Sequence, residues 1–173
     1  MANHSQPEPW LRGHIEDLPA VHTAILNALQ LTSENVDQWC RGLTKDDFHA
    51  HPSGLPSLAF HLRHIARSLD RLLTYAEGNQ LTHSQFAALK SESDSAGLVR
   101  EILDELHASI ENASVRIRSL AGTSLELPRS VGRQNLPTTV GGLLVHIADH
   151  TQRHTGQVIT TSKLLLAINP KSA

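Results

Sequence analysis

Aromatic residues are scarce in this 173-residue chain, 3% of the total, so a densely packed core must be built from Leu, Ile, Val and Ala. Cysteine occurs once, at Cys40, which excludes an intrachain disulfide and a cysteine-rich zinc site. No apolar run approaches the ~20 residues that span a bilayer. The opening MANHSQPEPW lacks the apolar core of a secretory signal. An excess of either charge is also missing: 15 Lys plus Arg face 17 Asp plus Glu, a formal net charge of −2. Nucleic-acid binders carry a basic excess or stripe, so that class is disfavoured. The expectation is a cytoplasmic chain with neither a membrane nor a nucleic-acid partner, folded as a single domain over 1–173.

What the chain has in excess is histidine, 12 residues of it. Their placement follows from the helices that proline and glycine mark off. The first helix is expected from about Pro19 to Cys40, with Leu18, His22, Ile25, Leu29, Thr32, Val36 and Trp39 on one stripe. Leu43 to Pro56 reads as a loop with a polar turn at Lys45, Asp46 and Asp47. The second helix, Ser57 to Glu77, has Ser57 as N-cap and Gly78 as C′ stop. A short helix at Ser84 to Lys90 and a polar SESDS linker lead to a third long helix, about Ala96 to Leu120. Thr123 to Pro137 reads as a loop, and the fourth helix, capped by Thr138, reaches about Ala167. Period-two alternation is absent over any comparable length. The fold class expected is all-α, a four-helix bundle whose long inter-helix connections permit crossovers.

Two histidine clusters emerge. The second helix contains His61-Leu62-Arg63-His64, and the fourth contains His146, His150 and His154, each four residues apart. A step of four turns an α-helix about 40° beyond a full turn, so three such residues fan across about 80° and at most two reach one ion. Relative to the stripe of Val140, Leu143, Ile147, Val158 and Leu165, His154 lies near the centre and His150 about 60° aside. His146 lies at the border, about 100° away, as a supporting or interface residue. Two imidazoles in an apolar interior need a partner, and a divalent metal takes neutral imidazole as its preferred nitrogen donor. A third ligand must come from another helix, and the stripe of the second helix favours His61 over His64. His4, His14, His49, His51 and His83 read as loop or surface residues. His107 reads as an exposed helix residue and His22 as a satisfied core histidine.

The segments FHLRHIARSLDRLLTYAEG and VHIADHTQRHTGQV, with RSVGRQNLPTTVGGLL before the latter, resemble the DinB-like superfamily of metal-binding four-helix bundles, which includes the YfiT-type proteins. That resemblance covers nearly the whole chain. It implies a metal held by one histidine of the second helix, His64 in HIARS, and by the HTQRH pair His150 and His154. His61 remains the alternative to His64, and His146 a possible support. The resemblance further implies a nickel, zinc, manganese or iron ion with open positions for water or substrate, and a homodimer.

Characterised branches include S-transferases that use low-molecular-weight thiols, a thiol-dependent isomerase and metal-dependent hydrolases. The expected activity is therefore that of a metal-dependent enzyme activating a thiol or water toward a small-molecule substrate. The alternative is a non-catalytic metal-binding bundle. Arg129 and Arg133 are candidates for holding a substrate carboxylate, and Tyr75 for lining the pocket. Gln152 and Gln157 are weaker candidates for orienting an imidazole, whereas Asp149 faces away and reads as a salt-bridged surface residue.

Overall fold

The computed structural model describes residues 6–93 and 97–168; His4 lies outside them. Four long helices form the frame: α1 (Ala20–Trp39), α3 (Leu58–Ala76), α5 (Val99–Ser119) and α6 (Val140–Ile168). Shorter pieces fill the connections: α2 (Lys45–His49), α4 (His83–Lys90) and the strands β1 (Pro128–Val131) and β2 (Leu136–Thr139). The chain is thus mostly helical, as expected of an all-α bundle, with one small two-stranded sheet among the described residues.

Around the bundle, α6 packs against both α1 and α3, and α5 packs against the same two helices from the opposite side. Helices α1 and α3 are therefore diagonal, as are α5 and α6, and the connections between the members of each pair cross the bundle ends. The core is aliphatic: Leu29, Leu62, Ile65, Leu69, Ile102, Leu106, Leu144 and Ile147 are all fully buried. Fully burying one such side chain stabilises the fold by about 1.5–3 kcal/mol relative to leaving it in water.

Several boundaries follow from local chemistry. Ser57 Oγ accepts from the Phe60 amide at 3.2 Å and starts α3 as expected. Gly78 ends it in the left-handed region, φ +86°. The polar turn expected at Lys45–Asp47 is instead a helix, because Thr44 and Asp47 form a reciprocal capping box and Phe48 is buried in the core. The expected start of the third long helix at Ala96 lies outside the described residues, and α5 begins at Val99.

The expected loop 123–137 is a hairpin over part of its length. Pro128 pairs with Thr139 and Val131 with Leu136, antiparallel, around a turn in which Gly132 and Asn135 both have positive φ. Four-residue strands with a proline in each are too short to announce themselves by alternation. The hairpin leans on α3, where the Arg129 Nε donates to the Ala76 carbonyl at 2.7 Å and so satisfies one of the helix's last acceptors.

Polar ties fasten α4 to α3. Gln85 Nε2 donates to Asp70 Oδ2 at 2.7 Å and to Thr74 Oγ1 at 2.8 Å, and Arg67 Nη1 donates to the Ala88 carbonyl at 2.9 Å. Helix α4 and the hairpin thereby flank the face of α3 that carries His64.

Candidate metal centre

Because α3 and α6 are packed neighbours, the two histidine clusters of the sequence meet. One ligand nitrogen from each of His64, His150 and His154 lies within 4.8 Å of the other two. His64 Nε2 and His150 Nε2 are 3.1 Å apart, and the His64 and His154 ring centroids 4.4 Å apart. Metal–nitrogen bonds of about 2.0–2.1 Å with ligands about 90–110° apart put donor nitrogens about 3.0–3.4 Å from one another. The His64–His150 spacing already falls there. Three imidazoles, all half-buried and without an acidic ligand, suit a divalent transition metal, so this group can hold a metal ion.

Electrostatics favour the coordinating form. Burial, reinforced by the charge of neighbouring histidines, pushes His150 and His154 down to about 4. At neutral pH both are uncharged, with a lone pair to offer. Gln157, beside His154, partly opposes that shift.

The surroundings of the three histidines are as specific as the histidines themselves. Glu92, 4% exposed, accepts a hydrogen bond from His64 Nδ1 at 2.7 Å. An ionised carboxylate only accepts, so His64 carries its proton on Nδ1 and leaves the Nε2 lone pair facing His150. The second oxygen of Glu92 takes a bond from Arg71 Nη1 at 2.6 Å. Burial works against charge on Glu92, but the bonds from His64 and Arg71 outweigh it and hold the carboxyl below its usual range. Phe60 stacks on the His64 ring, with centroids 5.4 Å apart and planes 14° from parallel. Residue choice, hydrogen bonding and stacking together leave His64 little rotational freedom.

His61 is not part of the three-histidine group. It is the more buried of the two α3 histidines, 2% exposed, and its Nδ1 lies 3.1 Å from His154 Nδ1. Desolvation, with the charge of His154 and His64, pushes it down to about 4. Stripe geometry located the deepest histidine of that helix, whereas the histidine that joins the group sits one step outward. His150 Nδ1 is buried without a hydrogen-bond partner among the described residues.

The remaining sequence candidates are spread out. His146 is exposed, its ring 5.4 Å from that of His150. Asp149 is a surface residue bonded to Arg153 at 2.7 Å, as its position on the helix predicts. Gln152 turns away from the histidines and donates to the Ala28 carbonyl and Thr32 Oγ1 at 2.7 and 2.9 Å, tying α6 to α1 rather than orienting an imidazole. Arg129 serves the end of α3, and the Arg133 guanidinium lies 5.7 Å from the centre of the Phe86 ring. Tyr75 lines a cavity together with His64, His146 and His150, whereas neither arginine does. His22 is buried as expected, but neither of its ring nitrogens has a partner among the described residues. Cys40 is buried, and desolvation pushes its thiol up to about 11, which removes it as a nucleophile.

Glu92 had no sequence signal. It lies in a polar stretch that reads as a solvated linker, 28 residues from its partner, and only the folded chain joins them.

A family model described as the DinB superfamily matches residues 28–158, three quarters of the chain. The chain belongs to the DinB superfamily. DinB-like proteins are metal-binding, and the matched span contains all three histidines of the group together with Glu92. No curated protein matches this DinB chain. Among its described residues, no helix is long and apolar enough to cross a membrane.

Proposed function

We propose that this DinB-superfamily protein is a metal-dependent enzyme acting on a small molecule, with His64, His150 and His154 as the ligands of one divalent ion. Nickel and zinc suit the donor set best, and manganese or iron are also compatible with imidazole. The observation that carries the reading is the convergence of three imidazoles beside a cavity that two of them, His64 and His150, line. Three protein ligands leave coordination positions free, the arrangement of a catalytic rather than a structural site. A bound divalent ion supplies one chemical service there, lowering the pKa of a coordinated water or thiol toward neutrality.

The protein's own residues supply the rest. Glu92 keeps His64 in one tautomer, and Phe60 and His61 brace the rings of His64 and His154. With Asp149 paired on the surface and Cys40 inert, neither serves as the nucleophile. In this reading the nucleophile arrives from solution, a thiol for S-transfer or water for hydrolysis.

Metal content and turnover test this together. The wild-type protein is expected to retain about one divalent ion per chain, and His150→Ala and His154→Ala to lose it. Full occupancy in both variants would refute the ligand assignment. In a screen of electrophiles, metal-dependent loss of a supplied thiol identifies S-transfer, and metal-dependent turnover without thiol identifies hydrolysis. Retained metal with neither activity would leave a binding protein rather than an enzyme.

A further inference from the structure

Beside the three histidines lies a cavity of about 310 Å3. Its floor is the junction of α3 and α6, where His64 and His150 sit. Its other walls come from parts of the chain outside the four-helix frame. Leu81 and α4, with Phe86 and Leu89, close one side, Val131 of the hairpin another, and Leu72 of α3 completes the apolar surface. None of these five apolar side chains is fully buried, and Leu89 is 41% exposed, so the lining presents hydrocarbon to water when nothing fills it.

Among the described lining residues, the permanent charge is already paired. The one permanent cation, Arg71, is already bonded to Glu92 at 2.6 Å and to Ser68 Oγ at 2.9 Å, and Glu92 neutralises it. The arginines considered from the sequence as carboxylate holders do not line this space. Small-molecule sites of about 300–1,000 Å3 combine apolar walls with a few convergent polar groups. Here the polar groups come from α3 and α6, the histidines with Ser68, Arg71 and Tyr75, while α4 and the hairpin contribute only hydrocarbon.

We propose that this cavity receives an uncharged apolar group, aryl or branched alkyl, of a substrate whose polar head sits at His64, His150 and His154. Helix α4 and the β-hairpin thus select the substrate, while the bundle helices carry the ligands. The cavity's modest volume limits the apolar group to about the size of a single ring with a short substituent. The inference rests on the metal reading above and adds the substrate class to it.

The test uses the zinc-loaded full-length chain and a series of hydroxamates, which bring a metal-binding head with tails of different kinds. Dissociation constants for acetohydroxamate, benzohydroxamate and 4-carboxybenzohydroxamate are measured by calorimetry. Benzohydroxamate is expected to bind about tenfold more tightly than acetohydroxamate, as burial of part of a ring should give. The added carboxylate should erase that gain. Phe86→Ala should reduce the gain to threefold or less while leaving acetohydroxamate unchanged. Leu89→Gln, at an exposed position that does not threaten folding, should do the same. Equal affinities across the series, or a gain that survives both substitutions, overturns the proposal while the metal reading stands. Failure of the protein to retain either zinc or nickel overturns both.

Discussion

At the scale of single residues, the centre depends on a carboxylate that coordinates nothing. Glu92 decides which nitrogen of His64 is bare, and a metal needs the bare nitrogen to be Nε2, the one that faces His150. Removing such a partner typically weakens metal affinity by about 10–100-fold, because the imidazole loses both its orientation and part of its basicity. Glu92→Ala is expected to fall in that range in a chelator competition. Glu92→Gln retains an acceptor oxygen and should lose less. An equal loss in the two variants would mean that the charge, rather than the hydrogen bond, is what His64 needs. The same residue shows where sequence reading stops. His150 and His154 could be picked out because their spacing and their facing are properties of one helix. Periodicity alone points to His61, because burial along a stripe ranks depth and ligation requires access to a cavity. The HIARS motif, by resemblance, points to His64, the histidine that joins the group. Glu92 is joined to His64 only by the return of the chain past α4.

At the scale of elements, the long helices were legible because each buries an apolar stripe and ends at a residue with a physical reason to stop it. Gly78 is one such stop. At φ +86° an added Cβ meets only ordinary contacts, the nearest being Arg129 at 3.5 Å, so the penalty for Gly78→Ala is backbone strain alone. That costs about 1–2 kcal/mol. Urea unfolding should therefore show a lowered midpoint with metal affinity unchanged. The β-hairpin and α2 were not legible, since their stability comes from what they lie against and from capping rather than from periodicity. Packing α3 against α6 also has a titration consequence. His61, His150 and His154 are each pushed from 6.5 to about 4 by burial in the folded protein. Between those values the unfolded chain binds more protons than the folded one, so stability falls as the pH falls. The contribution is complete above about pH 6.5 and is lost as the pH drops through about 4. Metal-free protein should show a falling urea midpoint from pH 7 to pH 4.5. The His61→Ala, His150→Ala, His154→Ala triple variant should show a flatter profile, and parallel profiles would contradict the assignment.

For the molecule as a whole, the packing of α3 against α6 gives the candidate metal centre its mechanical meaning. The three histidines come from α3 and α6, 86 or more residues apart in sequence, and those two helices belong to opposite halves of the chain order. An ion held by His64, His150 and His154 would close a loop spanning α4, α5 and the hairpin. It would bind only the folded chain, because the unfolded chain does not hold the three nitrogens together. Such selective binding stabilises the fold by about 2.7 kcal/mol when free metal is one hundred times its dissociation constant. In a chain of this size that corresponds to about 5–10 °C in the thermal midpoint. Nickel or zinc added to metal-free protein should raise the midpoint by that amount. His64→Ala should abolish the rise, whereas His146→Ala, at an exposed position beside the group, should keep it. The comparison also separates the two α3 histidines. If His61 were the ligand, His61→Ala would remove the shift and His64→Ala would leave it. As a brace on His154, His61 should instead reduce the shift when replaced, by weakening affinity, and saturating metal should restore it.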